Sequence, residues 1–110
     1  LSCGILYSIS EAVIVSKHHK INQNKLYDVI KNGAAGSWQF SNRYMTLIKN
    51  KFNFGFSTEL MEKDLRYVLK QSKKSKLNLK LTKEVHQKYK KLINTKYRIQ
   101  DTSSLVKTFI

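Results

Sequence analysis

The 110-residue chain reads as an all-α protein of about six helices joined by short connections. Three observations predict this class. The chain has no proline and only four glycines, so few residues break a helix. Its apolar residues recur every three or four positions rather than alternating. Asn22, Ser37, Thr82 and Asp101 each stand just before such a run, where a helix needs a cap.

Taken in order, residues 1–19 carry Ile5, Leu6, Ile9, Val13 and Ile14 along one face, with Glu11 inside the run. Asn22 caps KLYDVIKN, whose buried stripe is Leu26, Val29 and Ile30, and Gly33 is its expected C′ glycine. Ser37 caps WQFSNRYMTLIKN, burying Phe40, Tyr44, Leu47 and Ile48. The fourth helix runs from Ser57 to about Ser75, with Leu60, Met61, Leu65, Val68 and Leu69 inward. LNLKL is an extended connector. Thr82 then caps a fifth helix burying Val85, Tyr89, Leu92 and Ile93, and Asp101 caps the closing TSSLVKTFI.

At this length one domain is expected, without repeats. The chain opens LSCGILYSISEAVIV, which reads as the middle of a helix cut from a longer protein. Cys3 has no cysteine partner, which fits a reducing compartment such as the cytoplasm. No stretch approaches the ~18 uninterrupted apolar residues of a membrane span.

The net charge is +14, and ten lysines against one acid, Glu84, lie between Lys70 and Lys96. Clustered lysine is what phosphate neutralisation needs, so a basic helical nucleic-acid module is the alternative function. Against it, the sequence favours Lys, Asn, Ile and Tyr throughout, and its aromatic residues fall mostly at core spacing.

Metal ligation and nucleophilic catalysis find no pattern. His18 and His19 are adjacent and diverge on a helix, and neither His86 nor Cys3 has a partner at ligand spacing. Glu62 and Asp64, two positions apart, diverge likewise. The domain therefore works with another part.

Two loop-to-helix junctions stand out. GAAGSW, residues 33–38, is either a close-approach loop whose helix N-terminus holds an anion, or a tight inter-helix turn with Trp38 as a core anchor. NFGFSTELMEKDLRYVL, residues 53–69, sets Phe56 at N′ and Met61 at N4, the spacing of a hydrophobic staple. Lys63 lies seven positions beyond Phe56, on a shared face if both were helical, or else pairs with Glu59 one turn back. Asp64 is read as a solvated partner of lysine.

GFSTELMEKDLRYVL closely resembles the C-terminal signature of the β-hydroxyacid (3-hydroxyisobutyrate) dehydrogenase family, in which Gly-Phe leads through an apolar helix start to Lys-Asp-Leu. GAAGSWQFSNR resembles the segment one helix earlier, particularly in members acting on sugar acids such as threonate. EAVIVSKHHKINQNKLYDVI looks like the family's long helix and the short one after it, and DTSSLVK like its closing Asp-x-Ser motif. Four landmarks in order span nearly the whole chain.

The resemblance implies a 6-phosphogluconate-dehydrogenase-like C-terminal helical domain over residues 1–110, with 1–19 continuing the interdomain helix. It implies an N-terminal Rossmann domain outside this chain, holding most of an NAD or NADP cofactor. The family's catalytic lysine and asparagine would lie just before Leu1, so no catalytic residue is expected here and the 110 residues alone would be inactive. Lys63 matches the lysine that reaches towards the cofactor, with Phe56 and Asp64 flanking the nicotinamide and supporting that lysine. Gly36, Ser37 and Trp38 match the loop closing over a small hydroxy-acid substrate, with Gly33 easing its approach. A homo-oligomer is expected. The chain departs from the family where LNLKL lacks the usual prolines and NTKYRIQ the usual glycine.

Overall fold

α1, Ser2–His18, is the axis of the molecule, because its buried positions recur along one face: Cys3, Leu6, Ile9, Ser10, Val13 and Ser16. The two serines are accommodated there by donating to the carbonyls of Leu6 and Val13, at 2.7 and 3.0 Å. The computed structural model describes residues 1–110 and contains five α-helices, with two 3₁₀ segments near the C-terminus. α2 spans Gln23–Lys31, α3 Trp38–Ile48, α4 Thr58–Lys74 and α5 Lys80–Leu92. The 3₁₀ segments are Lys96–Ile99 and Thr102–Thr108. No helix is long and apolar enough to cross a membrane.

The core has two lobes strung along α1. Around its first half, Cys3 and Leu6 meet Leu65, Val85, Tyr89, Leu92 and Leu105. Around its second half, Ile9 and Val13 meet Phe40, Tyr44, Leu47, Phe52 and Val106. Leu105 and Val106, adjacent in the chain, enter one lobe each and tie the two together. Each such side chain contributes on the order of 1.5–3 kcal/mol through removal from water. The Tyr89 hydroxyl donates to Thr102 O at 2.9 Å, and burial pushes its phenol well above the ordinary range, so the donor stays protonated.

Three expected caps are made: Asn22 Oδ1 accepts from Lys25 N (3.0 Å), Ser37 Oγ from Phe40 N (2.9 Å) and Asp101 Oδ2 from Ser103 N (3.0 Å). Thr82 is not a cap. α5 starts at Lys80 behind Leu79, which makes no side-chain cap bond, so only residues 77–79 of LNLKL lie outside a helix. Thr95 instead caps an additional 3₁₀ turn, accepting from Tyr97 N at 3.1 Å. After Asp101 the chain forms a 3₁₀ helix rather than an α-helix, in a segment opening with buried Thr102, Ser103 and Ser104. Hydroxyl residues compete with the backbone for hydrogen bonds and favour tight turns.

The inward stripe of α4 is rotated by about one residue from the expected one. Thr58, Glu62, Leu65 and Ser72 are buried, Met61 and Leu69 partly so, and Leu60 and Val68 are exposed. In α2, Leu26, Tyr27 and Ile30 face α3, while Val29 is 74% exposed. Tyr27 stacks on Phe40 at 5.8 Å and donates to Ser41 O at 2.8 Å, taking the place expected of Val29. Gly33 is not a left-handed cap. α2 ends at Asn32 (φ −100, ψ 1), Gly33 has no positive φ, and a Cβ there would make ordinary contact, 3.6 Å from Ile30 O. The glycine this turn requires is Gly36, where a Cβ would stand 2.5 Å from Lys31 O.

Candidate functional site

The stretch from Phe52 to Ser57 joins α3 to α4 and is fastened along its length to residues 100–102. Asp101 N donates to Phe52 O, Thr102 N to Phe56 O and Thr58 N to Gln100 O, each at 2.8 Å. Gly55 makes the bend with φ +72, and a Cβ there would overlap the Asp101 carboxylate and crowd Arg43. The glycine between two phenylalanines is thus a backbone requirement.

Asp101 is the hub. Only 1% exposed, its carboxylate accepts from Phe56 N (3.2 Å), Arg43 Nε (3.0 Å), Ser103 N (3.0 Å) and the Ser103 hydroxyl. Arg43, from the middle of α3, has its guanidinium carbon 5.0 Å from the Trp38 ring centre and 4.9 Å from that of Phe54. One cation therefore joins the GAAGSW junction to the NFGF junction. Trp38 is 64% exposed and is no core anchor. Phe54 and Phe56 are exposed as well, so the three rings stand on the surface, two of them gathered by Arg43.

Lys63 sits farther along α4, its side chain 42% exposed and its Nζ 3.7 Å from Asp64 Oδ1. The expected alternative partner is occupied: Glu59 Oε2 pairs with Arg98 Nε at 2.5 Å. Lys63 borders a groove of about 350 Å³ with Glu59, Leu60, Arg66, Ile93 and Arg98 among its walls. Phe56, Ser37 and Trp38 do not line that groove. The structure thus joins Trp38 to the Gly55 turn through Arg43, and leaves Lys63 and Asp64 on a separate stretch of α4.

Glu62 and Arg66, two of the residues lining the Lys63 groove, belong to a cluster that sequence reasoning missed. Glu62 is buried in α4, and its Oε1 accepts from Arg66 Nε (3.2 Å) and lies 2.9 Å from His86 Nε2 on α5. Burial alone would push the Glu62 carboxyl up, but hydrogen bonds from His86 and Arg66, with the charge of Arg66, outweigh it and hold it below the usual carboxylate range. The folded carboxyl therefore titrates below the unfolded one. Its contribution to stability is complete above the ordinary glutamate value of about 4.3 and is lost as pH falls through the folded value. Urea midpoints measured between roughly pH 3 and pH 6 should fall more steeply for the native chain than for Glu62→Gln, and parallel slopes would refute the linkage.

Arg43 is the other omission. Its only signal was scarcity: it is one of three arginines in a chain rich in lysine, five positions beyond Trp38. The Arg43 surface offers a guanidinium and aromatic faces beside the N-terminus of α3, and the separate Lys63 groove offers an ammonium. Such groups bind and orient anions and planar rings. No three His, Cys, Asp or Glu side chains gather as metal ligands.

Residues 1–109 match a family model described as "NAD-binding of NADP-dependent 3-hydroxyisobutyrate dehydrogenase". An uncharacterized oxidoreductase of Shewanella frigidimarina is 33% identical over 103 residues, 94% of this chain and 35% of the relative. An L-threonate dehydrogenase of Cupriavidus necator is 29% identical over 100 residues, 91% of this chain and 34% of the relative. The chain thus spans about a third of the length of these relatives. In fold it is similar to 3-hydroxyisobutyrate dehydrogenase of Mycobacterium tuberculosis, with TM-score 0.86 at 22% identity, covering 97% of this chain and 39% of the other. It is equally similar to that of Salmonella typhimurium, with TM-score 0.84 at 24% identity, covering 96% and 37%.

Proposed function

Because the chain belongs to the family described as "NAD-binding of NADP-dependent 3-hydroxyisobutyrate dehydrogenase", we propose that it is the C-terminal, cleft-lining part of an NAD(P)-dependent 3-hydroxyacid dehydrogenase. Its partner is a Rossmann domain of the same protein, and its substrate a small hydroxy acid such as L-threonate or 3-hydroxyisobutyrate. The observation that carries this is the Asp101–Arg43 hub, which holds Trp38 and the Gly55 turn on one exposed surface.

The donor set fits a nicotinamide dinucleotide and an anionic substrate. A bound nicotinamide would supply hydride-accepting chemistry, with Lys63 and Phe56 as the residues of this chain that would hold it. Lys63 supplies positive charge toward the cofactor and is free of Glu59, while Asp64 steadies its ammonium and Phe56 covers a planar ring. Gly36, Ser37 and Trp38 approach the hydroxy acid, with the N-terminus of α3 facing its carboxylate. Closing the cleft excludes water from the reacting atoms. The residue that takes the hydroxyl proton lies on the part preceding Leu1. The exposed α4 face bearing Leu60 and Tyr67 supplies apolar surface for the first domain or for a second subunit.

The test is turnover. The longer protein should oxidise L-threonate or 3-hydroxyisobutyrate with NAD or NADP, and the 110-residue chain alone should not. Dehydrogenase activity of the chain alone would overturn this division of labour.

A further inference from the structure

At the corner where α4 ends and α5 begins, far along the chain from the Trp38 and Gly55 junctions, two adjoining recesses of about 450 and 220 Å³ share Ser72 and Leu77. Their walls alternate two chemistries. Val68, Leu69 and Leu79 line the recesses with aliphatic side chains, and Lys73, Lys76 and Lys83 surround the larger one. Lys70, Lys74 and Lys80 stand nearby in sequence, and none of these six lysines has a carboxylate within ion-pair distance.

Local geometry explains why Leu77 is presented rather than buried. α4 closes with a Schellman motif: Leu77 N donates to Ser72 O at 2.8 Å and Lys76 N to Lys73 O at 3.2 Å. That motif normally buries the residue in Leu77's place against an apolar side chain three or four from the helix end. Here those positions are Ser72 and Gln71, and Ser72 turns its hydroxyl to Leu69 O at 2.8 Å. Leu77 is left 60% exposed on a rigid turn, beside Lys76 at φ 55.

We propose that this corner is a docking site for an acidic amphipathic helix of another protein, its aliphatic side chains entering the recesses and its carboxylates meeting the lysines. Charge complementarity selects the occupant. A second copy of this chain carries +14 and would bring lysine against lysine. The lining has no aromatic ring on which a nucleic-acid base would stack. A recess between two helices accepts protruding side chains, as grooves that bind helices do, better than it meets a flat lipid surface.

Two labelled synthetic helices of equal negative charge, one with leucines every three or four residues and the other with those leucines replaced by serine, test this by titration against the chain. The leucine helix should bind about tenfold tighter, and Leu77→Ser should abolish that advantage. Lys76→Gly separates docking from folding, since it relieves a left-handed lysine and should raise Tm while weakening binding about threefold. Equal binding of the two helices overturns the proposal, as does tighter binding of duplex DNA or of phosphatidylserine vesicles. Self-association that Leu77→Ser abolishes would overturn it too, because it would make a second copy the occupant of this corner.

Discussion

Asp101→Ala is expected to lower folding stability by about 3–5 kcal/mol. The carboxylate is 1% exposed and meets four donors from three stretches of chain: Arg43 in α3, Phe56 N in the junction, and both the amide and hydroxyl of Ser103. Alanine would leave a guanidinium whose side chain is only 16% exposed without its counter-charge. It would also strand two backbone amides, each of which costs on the order of 1–3 kcal/mol when buried and unpartnered. Asp101→Asn keeps an acceptor for Phe56 N but not the charge, so it should fall between the two. Urea unfolding with an unchanged m-value checks the order, and a loss below about 1 kcal/mol for alanine would show that the hub is dispensable.

The same hub explains what was legible in the sequence and what was not. Local signals were readable wherever one residue decides the outcome: Asn22, Ser37 and Asp101 cap as expected because a short polar side chain can reach an amide two or three residues on. Element type followed from spacing for the five α-helices, but not for the two 3₁₀ segments near the C-terminus. Failures occurred where the deciding partner is distant in sequence. Leu60 and Val68 were expected inside, yet Thr58, Glu62 and Ser72 take the inner face, because a hydroxyl and a histidine from elsewhere satisfy two of them: Thr58 Oγ1 lies 3.0 Å from Ser104 Oγ, and Glu62 meets His86. A buried glutamate has no signature until its partner on another helix is known. Asp101 was visible as a cap, but not as the residue that fastens the Gly55 turn. Glycine at position 55 was visible as an odd step between aromatics; its reason, an incoming carboxylate, was not. Within the two landmark stretches, 33–38 and 53–69, the backbone itself requires glycine at Gly36 and Gly55.

On the proposed function, Lys63→Ala made in a two-domain dehydrogenase that includes this chain is expected to lower kcat/KM by about 10- to 100-fold, or roughly 1.4–2.8 kcal/mol of transition-state stabilisation. Its effect on folding should stay within about 0.5 kcal/mol, because the side chain is 42% exposed and its only ion pair, to Asp64, is long at 3.7 Å. That disparity separates a binding role from a structural one. If Lys63 neutralises cofactor charge in the ground state, KM for NAD or NADP should rise with kcat nearly unchanged; if it acts only as the cleft closes, kcat should fall instead. Lys63→Arg, which retains charge, should recover most of the loss, whereas Asp64→Asn should cost only a few-fold by loosening the ammonium. Glu59→Gln is the control. Glu59 pairs with Arg98 rather than with Lys63, so its removal should leave cofactor KM unchanged. Native kinetics for Lys63→Ala would take the ammonium out of the proposed site.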